Sequence, residues 1–159
     1  MDHAERALAL AYRYVGRRER TIEELRSHLA ARDVEPNLIV DTVATLVEQG
    51  LLDDARFARL FVEDKRALED WGSERIARTL RERGVERELV EAALAEGGAH
   101  GNELERALGL LRRRCSQPPV EHRERERALG ILLRKGFETD LALEALRAYG
   151  RDPRAVGHG

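Results

Sequence analysis

Apolar residues along this chain recur at intervals of three and four, few stretches alternate as a strand would, and short polar breaks separate the runs, a pattern that predicts helices almost throughout. The first helix covers about Ala4 to Gly16 and places Ala7, Leu8, Ala11 and Val15 on one side. Arg17-Arg18-Glu19-Arg20 then interrupts the apolar pattern. Thr21-Ile22-Glu23-Glu24 is a capping box, in which the hydroxyl and the carboxylate each serve an orphan N–H, and it starts a second helix with Leu25 and Leu29 inward. Pro36 suits the first turn of a third helix, which carries Leu38, Ile39, Val43, Leu46 and Val47 and ends at Gly50.

The pattern then repeats. Leu25, Leu29, Val34, Leu38 and Val43 find apolar counterparts 51 residues later in Ile76, Leu80, Val85, Leu89 and Leu94. A further shift of 52 gives Ala128, Leu132, Phe137, Leu141 and Leu146. The local text agrees: SHLAARDVEPNL, RTLRERGVEREL and GILLRKGFETDL align, as do the leading helices LALAYRYV, RLFVEDKR and LGLLRRRC. The expected fold is therefore all-α, a tandem array of three three-helix repeats at 4–50, 53–97 and 102–149, followed by a mobile tail at 150–159. Repeats of this size bury little alone and stack on neighbours, so the array is expected to be elongated and curved, on the order of 70 Å long. Gly97-Gly98-Ala99-His100-Gly101 is the expected hinge, and Cys115-Ser116-Gln117-Pro118-Pro119 breaks the third repeat's first helix from its second.

Between the first two repeats lies Gly50-Leu51-Leu52-Asp53-Asp54. Gly50 closes a helix, Leu51 and Leu52 wedge between repeats, and one of the two aspartates caps the next helix. That helix is expected to bury a stripe of Phe57, Phe61 and Leu68 and to turn Arg56, Arg59, Glu63 and Arg66 outward. Trp71-Gly72-Ser73 makes a turn with Ser73 as N-cap, after which Ile76 and Leu80 point inward and Arg75, Arg78 and Arg81 outward.

Composition narrows the function. Charged residues make up 36% of the chain, yet 28 cations against 30 acids leave a net charge of −2, which provides no global attraction to nucleic acid. Only Lys65 and Lys135 are lysines; the other cations are arginines, whose forks bind carboxylates and phosphates at two points. One cysteine, Cys115, excludes an internal disulfide framework. No apolar run approaches the roughly 20 residues that span a bilayer, and the N-terminus lacks the pattern of a signal peptide, so a cytoplasmic protein is expected.

Catalytic chemistry finds no support. His3, His28, His100, His122 and His158 are scattered, and none has the spacing of a metal site, so neither an enzyme nor a cofactor is expected. Cys115 has Arg112, Arg113 and Arg114 close by, which would favour a thiolate, but it also continues the stripe of Leu104, Leu108 and Leu111, as a buried small residue would. Trp71 reads either as a stacking platform or as a packing residue at a turn.

The chain resembles the RecX family, bacterial regulators of the RecA recombinase. The resemblance rests on Arg20-Thr21-Ile22-Glu23-Glu24-Leu25 with Leu29, on Gly50-Leu51-Leu52-Asp53-Asp54-Ala55-Arg56-Phe57-Ala58, and on Gly72 with Arg75-Ile76, Leu80 and Gly84-Val85. Lys135-Gly136-Phe137 extends it more loosely into the third repeat, where the Cys-Ser-Gln-Pro-Pro break departs from the pattern. The resemblance implies an array of three-helix repeats. It also implies a protein that lies in the groove of the RecA–DNA filament and inhibits strand exchange and coupled ATP hydrolysis in recombination and repair.

Candidate partner-binding residues are the arginines of four clusters: Arg17, Arg18 and Arg20; Arg56, Arg59 and Arg66; Arg75, Arg78 and Arg81; and Arg112, Arg113 and Arg114. Each cluster also reads as an ordinary solvated face. The expected partner is the RecA filament, with DNA bound weakly or only within it, and the expected state is a monomer without a membrane. A helix-turn-helix DNA-binding protein is the alternative, for which a net charge of −2 is unfavourable.

Overall fold

The structure, a computed structural model, describes residues 2–96 and 100–151, and of residues 100 and 101 the backbone. The described residues form helices α1 (His3–Arg17), α2 (Ile22–Ala31), α3 (Pro36–Glu48), α4 (Asp54–Glu69), α5 (Ser73–Glu82), α6 (Arg87–Ala95), α7 (His100–Arg114), α8 (His122–Lys135) and α9 (Thr139–Gly150). Of the expected hinge, residues 97–99 lie outside the described residues, and His100 and Gly101 open α7. Of the expected tail, Gly150 ends α9, Arg151 follows in a turn, and residues 152–159 lie outside the described residues.

Local chemistry places the helix ends. Asp2 caps α1 by accepting from the Glu5 amide at 2.7 Å. The α2 capping box forms in both directions: the Glu24 amide donates to Thr21 Oγ1 at 3.1 Å, and the Thr21 amide donates to Glu24 Oε1 at 2.9 Å. Pro36 opens α3. Gly50, at φ 75°, turns the chain so that the Leu51 amide donates back to the Leu46 carbonyl at 2.9 Å.

Each repeat's second helix ends in the same way. Asp33, Gly84 and Gly136 all adopt positive φ, of 62°, 88° and 95°. The next residue's amide then closes on a carbonyl five residues back, Val34 on Leu29, Val85 on Leu80 and Phe137 on Leu132, at 3.0–3.1 Å. This left-handed stop drives Val34, Val85 and Phe137 into the interior, where all three are buried.

By its internal contacts the chain divides into two compact units. One comprises the described residues up to Leu60 with Thr79–Ala93, the other Phe61–Arg78 with the described residues from Leu94 onward. The first unit's core joins Ala7 and Ala11 of α1 to Leu25, Leu29, Val34, Val43, Leu46 and Leu52. The second unit's core joins Ala107, Leu108, Leu110 and Leu111 of α7 to Ala128 and Leu132 of α8, Phe137, and Leu141, Ala142, Ala145, Leu146 and Tyr149 of α9. Deleting one such leucine side chain costs about 2–5 kcal/mol.

Several expected positions differ. Leu68 is 78% exposed, because near this end of α4 the inward positions are Val62 and Arg66, four residues apart. Leu52 is buried, but Leu51 is 43% exposed, so a single leucine anchors this turn in the core. Val47 faces outward with Val40, seven residues earlier on α3. Ser73 is the first helical residue of α5 and not its N-cap.

Candidate partner-binding surface

In the first unit, the N-terminus of α2 is completed by distant groups. The Ile22 amide donates to Asp54 Oδ1 at 3.0 Å, and Thr21 Oγ1 donates to the Arg83 carbonyl at 2.7 Å. The Arg83 guanidinium reaches both Glu24 oxygens at 3.1 and 3.2 Å and lies over the Phe57 ring. A Cβ at Gly84 would overlap the side chain of Glu23, so the close approach of this turn to α2 requires glycine. The paired aspartates therefore divide their work. Asp53 caps α4, accepting from the Arg56 amide at 3.0 Å, and Asp54 caps α2. Burial raises the Asp54 carboxyl above its ordinary 3.8; the Ile22 hydrogen bond opposes this and is outweighed.

The second unit repeats the arrangement at the N-terminus of α5. The Ser73 amide donates to Glu103 Oε1 at 3.1 Å, and the Ser73 hydroxyl donates to the same carboxylate. The Gly72 amide donates to the Lys135 carbonyl at 2.7 Å, and the Glu74 amide to the Gly136 carbonyl at 3.0 Å. A Cβ on Gly72 would lie 2.5 Å from the Gly136 carbonyl group. Lys135 thus plays the part of Arg83, and Glu103 that of Asp54.

Arg66 completes this second cap. It donates to the carbonyls of Leu94 at 3.1 Å and Glu96 at 3.2 Å, and lies 3.7 Å from Glu103. The side chains of Arg66 and Glu103 are 11% and 13% exposed, so the pair is largely withdrawn from water. Burial, and then the nearby Arg106 charge, push the Arg66 guanidinium below its ordinary value, while Glu103 pulls it back. The outward placement expected for Arg66 is thereby overturned: it sits one turn from buried Val62 and caps carbonyls.

The remaining candidate arginines fall into two groups. Arg20 lies 3.9 Å over the Tyr14 ring, which stacks on His28 at 3.9 Å between centroids. Arg56 donates to the Gly50 carbonyl at 3.1 Å and lies 3.5 Å from Glu19. Arg75 donates to the Arg134 carbonyl at 3.2 Å and covers the Trp71 ring at 3.9 Å. Arg113 pairs with Asp70 at 2.6 Å on the surface, and Arg112 is half-buried. Arg17, Arg18, Arg59, Arg78, Arg81 and Arg114 are exposed, and their side chains form no hydrogen bond or ion pair among the described residues. The structure brings Arg17 and Arg20 together around His28, whose pKa is lowered from 6.5 by burial first and then by Arg32, Arg20 and Arg17.

Trp71 is half-buried, edge-on to Phe61, with Lys65 4.6 Å from its ring as well as Arg75, so it serves packing within its unit. Cys115 is partly buried against the second core. Among the described residues no cluster of His, Cys, Asp or Glu could hold a metal, and no helix is long and apolar enough to cross a membrane. Arg83, Glu103 and Arg106 are not among the partner-binding candidates read from the sequence. The available signal for Arg83 was its position one residue before a helix-ending glycine, as Lys135 stands before Gly136.

Residues 7–46 match the family model of the first three-helix domain of RecX, and residues 53–94 that of the second. A regulatory protein RecX from Halorhodospira halophila is 35% identical over 150 residues, spanning 94% of this chain and 91% of the relative. The chain belongs to the RecX family. A RecX from Pseudomonas syringae pv. tomato is 35% identical over 138 residues, 87% of this chain and 88% of the relative. The crystal structure of RecX from Lactobacillus salivarius shares the fold, with a TM-score of 0.82 at 20% identity over 95% of this chain and 99% of that one. The inter-helix caps at Asp54 and Glu103 are thus features of a RecX-family regulatory protein.

Proposed function

We propose that this RecX-family protein binds RecA assembled on DNA and inhibits strand exchange and the coupled ATP hydrolysis, acting as a cytoplasmic monomer. The carrying observation is 35% identity, over 94% and 87% of this chain, to two regulatory proteins named RecX. The division of the arginines supports it. Arg17, Arg18, Arg59, Arg78, Arg81 and Arg114 are exposed and available, while the committed arginines hold the fold. With a net charge of −2 over the chain, these groups favour a mixed-charge protein surface over naked DNA, whose binding requires a strongly basic face. The three repeats at 4–50, 53–97 and 102–149 would each present a part of that surface.

DNA-dependent ATP hydrolysis by the cognate RecA on single-stranded DNA, titrated with this protein below one copy per recombinase subunit, tests the reading. Turnover is expected to fall at low ratio with little binding to DNA alone. Unchanged turnover together with tight binding to naked DNA would move the protein to the DNA-binding class.

A further inference from the structure

The segment that departs from the family pattern builds a groove. Between the end of α7 and the start of α8, residues 115–120 form one wall of an open cleft of about 470 Å³. Pro118, Pro119 and Val120 line it on this side, and Ala128 and Ile131 of α8 on the other. Val120 is 81% exposed. The wall is held at both ends: the Tyr149 hydroxyl donates to the Cys115 carbonyl at 2.6 Å, and the Val120 amide donates to Glu124 Oε2 at 3.2 Å. The groove is therefore preformed, which lowers the ordering cost of filling it.

Arg114 and Arg127 also line the cleft. Both are exposed, and neither side chain forms a hydrogen bond or ion pair among the described residues. Exposed Val120 and the two prolines, set beside two uncommitted guanidinium groups and a Glu124 carboxylate already engaged by the Val120 amide, have a definite complement. It must offer an apolar side chain to cover Val120 and the prolines, and carboxylates for the two forks. A phosphate backbone would meet the arginines but leave Val120 and the prolines uncovered. We infer that this groove of the third repeat docks an acidic, leucine-type segment of the protein partner, and so supplies a specific contact point for the interaction proposed above, on which the inference rests.

The test uses the full-length chain, labelled at its N-terminus because Cys115 lines the groove. Affinity for the cognate RecA filament on single-stranded DNA is compared for wild type, V120D, R114Q/R127Q and L68D, with circular dichroism to verify folding. V120D and R114Q/R127Q should each weaken binding about tenfold, equivalent to ~1.4 kcal/mol, and L68D, an exposed leucine away from the groove, should remain within about twofold. Equal binding by all four would overturn the groove assignment and leave the filament reading intact. If the wild type ignores the filament, the proposed function has failed, and the groove is judged with the synthetic peptide Ac-DLEDLEDL-NH2. Binding by wild type that is lost in both groove variants upholds the groove chemistry; no binding by wild type removes it. Loss of oligonucleotide binding in R114Q/R127Q with V120D unaffected would make nucleic acid the occupant, and self-association abolished by V120D would make it a second copy; either overturns the inference.

Discussion

The Asp54 carboxylate accepts the backbone amide of Ile22 at 3.0 Å, so the first residue of one helix caps another helix that begins thirty-two positions earlier. Removing the acceptor in D54A leaves a partly buried N–H without its partner, and chemical denaturation should show a loss of about 1–2 kcal/mol. D54N, which keeps an oxygen in place, should lose less. An equal loss in both variants would show that charge, not the hydrogen bond, is what α2 requires.

The same residue predicts a pH dependence. Its folded pKa lies above the ordinary 3.8, so the folded state holds the proton more readily than the unfolded chain does. The resulting contribution to stability is complete below the ordinary value and is lost as pH rises through the raised one. Urea titrations across this window should show the stability of the wild type falling relative to D54N with rising pH; a constant difference would contradict it.

Gly136 and Asp33 occupy equivalent turns but should tolerate alanine differently. At Gly136 a Cβ would overlap the Arg75 side chain and lie 2.8 Å from its backbone nitrogen, in addition to the strain of φ 95°. G136A should cost more than about 2 kcal/mol, lowering Tm by roughly 4–8 °C, whereas D33A should cost no more than about 1 kcal/mol. Similar melting temperatures for the two would remove the close-approach argument.

Arg66 and Glu103 should behave as a coupled pair. R66M leaves Glu103 with Arg106 at 3.6 Å and Ser73, and E103M leaves Arg66 with the Leu94 and Glu96 carbonyls, so each should cost about 1–3 kcal/mol, while R66M/E103M should cost clearly less than the sum. Additivity within about 0.5 kcal/mol would show that each acts only through its backbone contacts.

His28 offers a spectroscopic check. Its pKa, followed by NMR, should fall below 6.5, and R20Q should move it partway back, since burial is the leading cause and Arg20 a lesser one. With a lowered folded pKa, the stabilising contribution of His28 is present above 6.5 and lost as pH falls through the folded value. A value at or above 6.5 would mean that the Tyr14–His28–Arg20 stack does not persist in solution.

The two arginine groups should separate in a charge-reversal series. R17E/R18E and R78E/R81E should weaken filament inhibition with stability changed by less than about 0.5 kcal/mol, and R66E should unfold the second unit. R113E must be measured apart from its neighbours, because it opposes Asp70. Inhibition that survives both double reversals would place the contact surface elsewhere.

What could be read from the chain beforehand follows a physical division. The Thr21–Glu24 box, Pro36 at a helix start, Gly50 at a helix end and the repeated apolar positions all depend on partners within one or two turns, and spacing reveals them. Asp54 and Glu103 depend on amides some thirty residues away, and a carboxylate near its own helix start reads as a local cap. The inward position of Arg66 is hidden from sequence for a related reason. Its acceptors include the carbonyls of Leu94 and Glu96, a group every residue carries, so no sequence feature points to them. The arginine clusters were legible as a type, and their sorting into exposed and committed members needed coordinates.

The caps at Ile22 and Ser73 separate ancestry from cohesion. The two matched three-helix domains end at residue 46 and begin again at 53, yet cutting between them would detach Asp54 from the helix it completes, and cutting after Ala95 would detach Glu103 from Ser73. A fragment trimmed at the borders of duplication would carry a frayed helix start. The modules that can be inherited one by one are not the modules that can stand one by one.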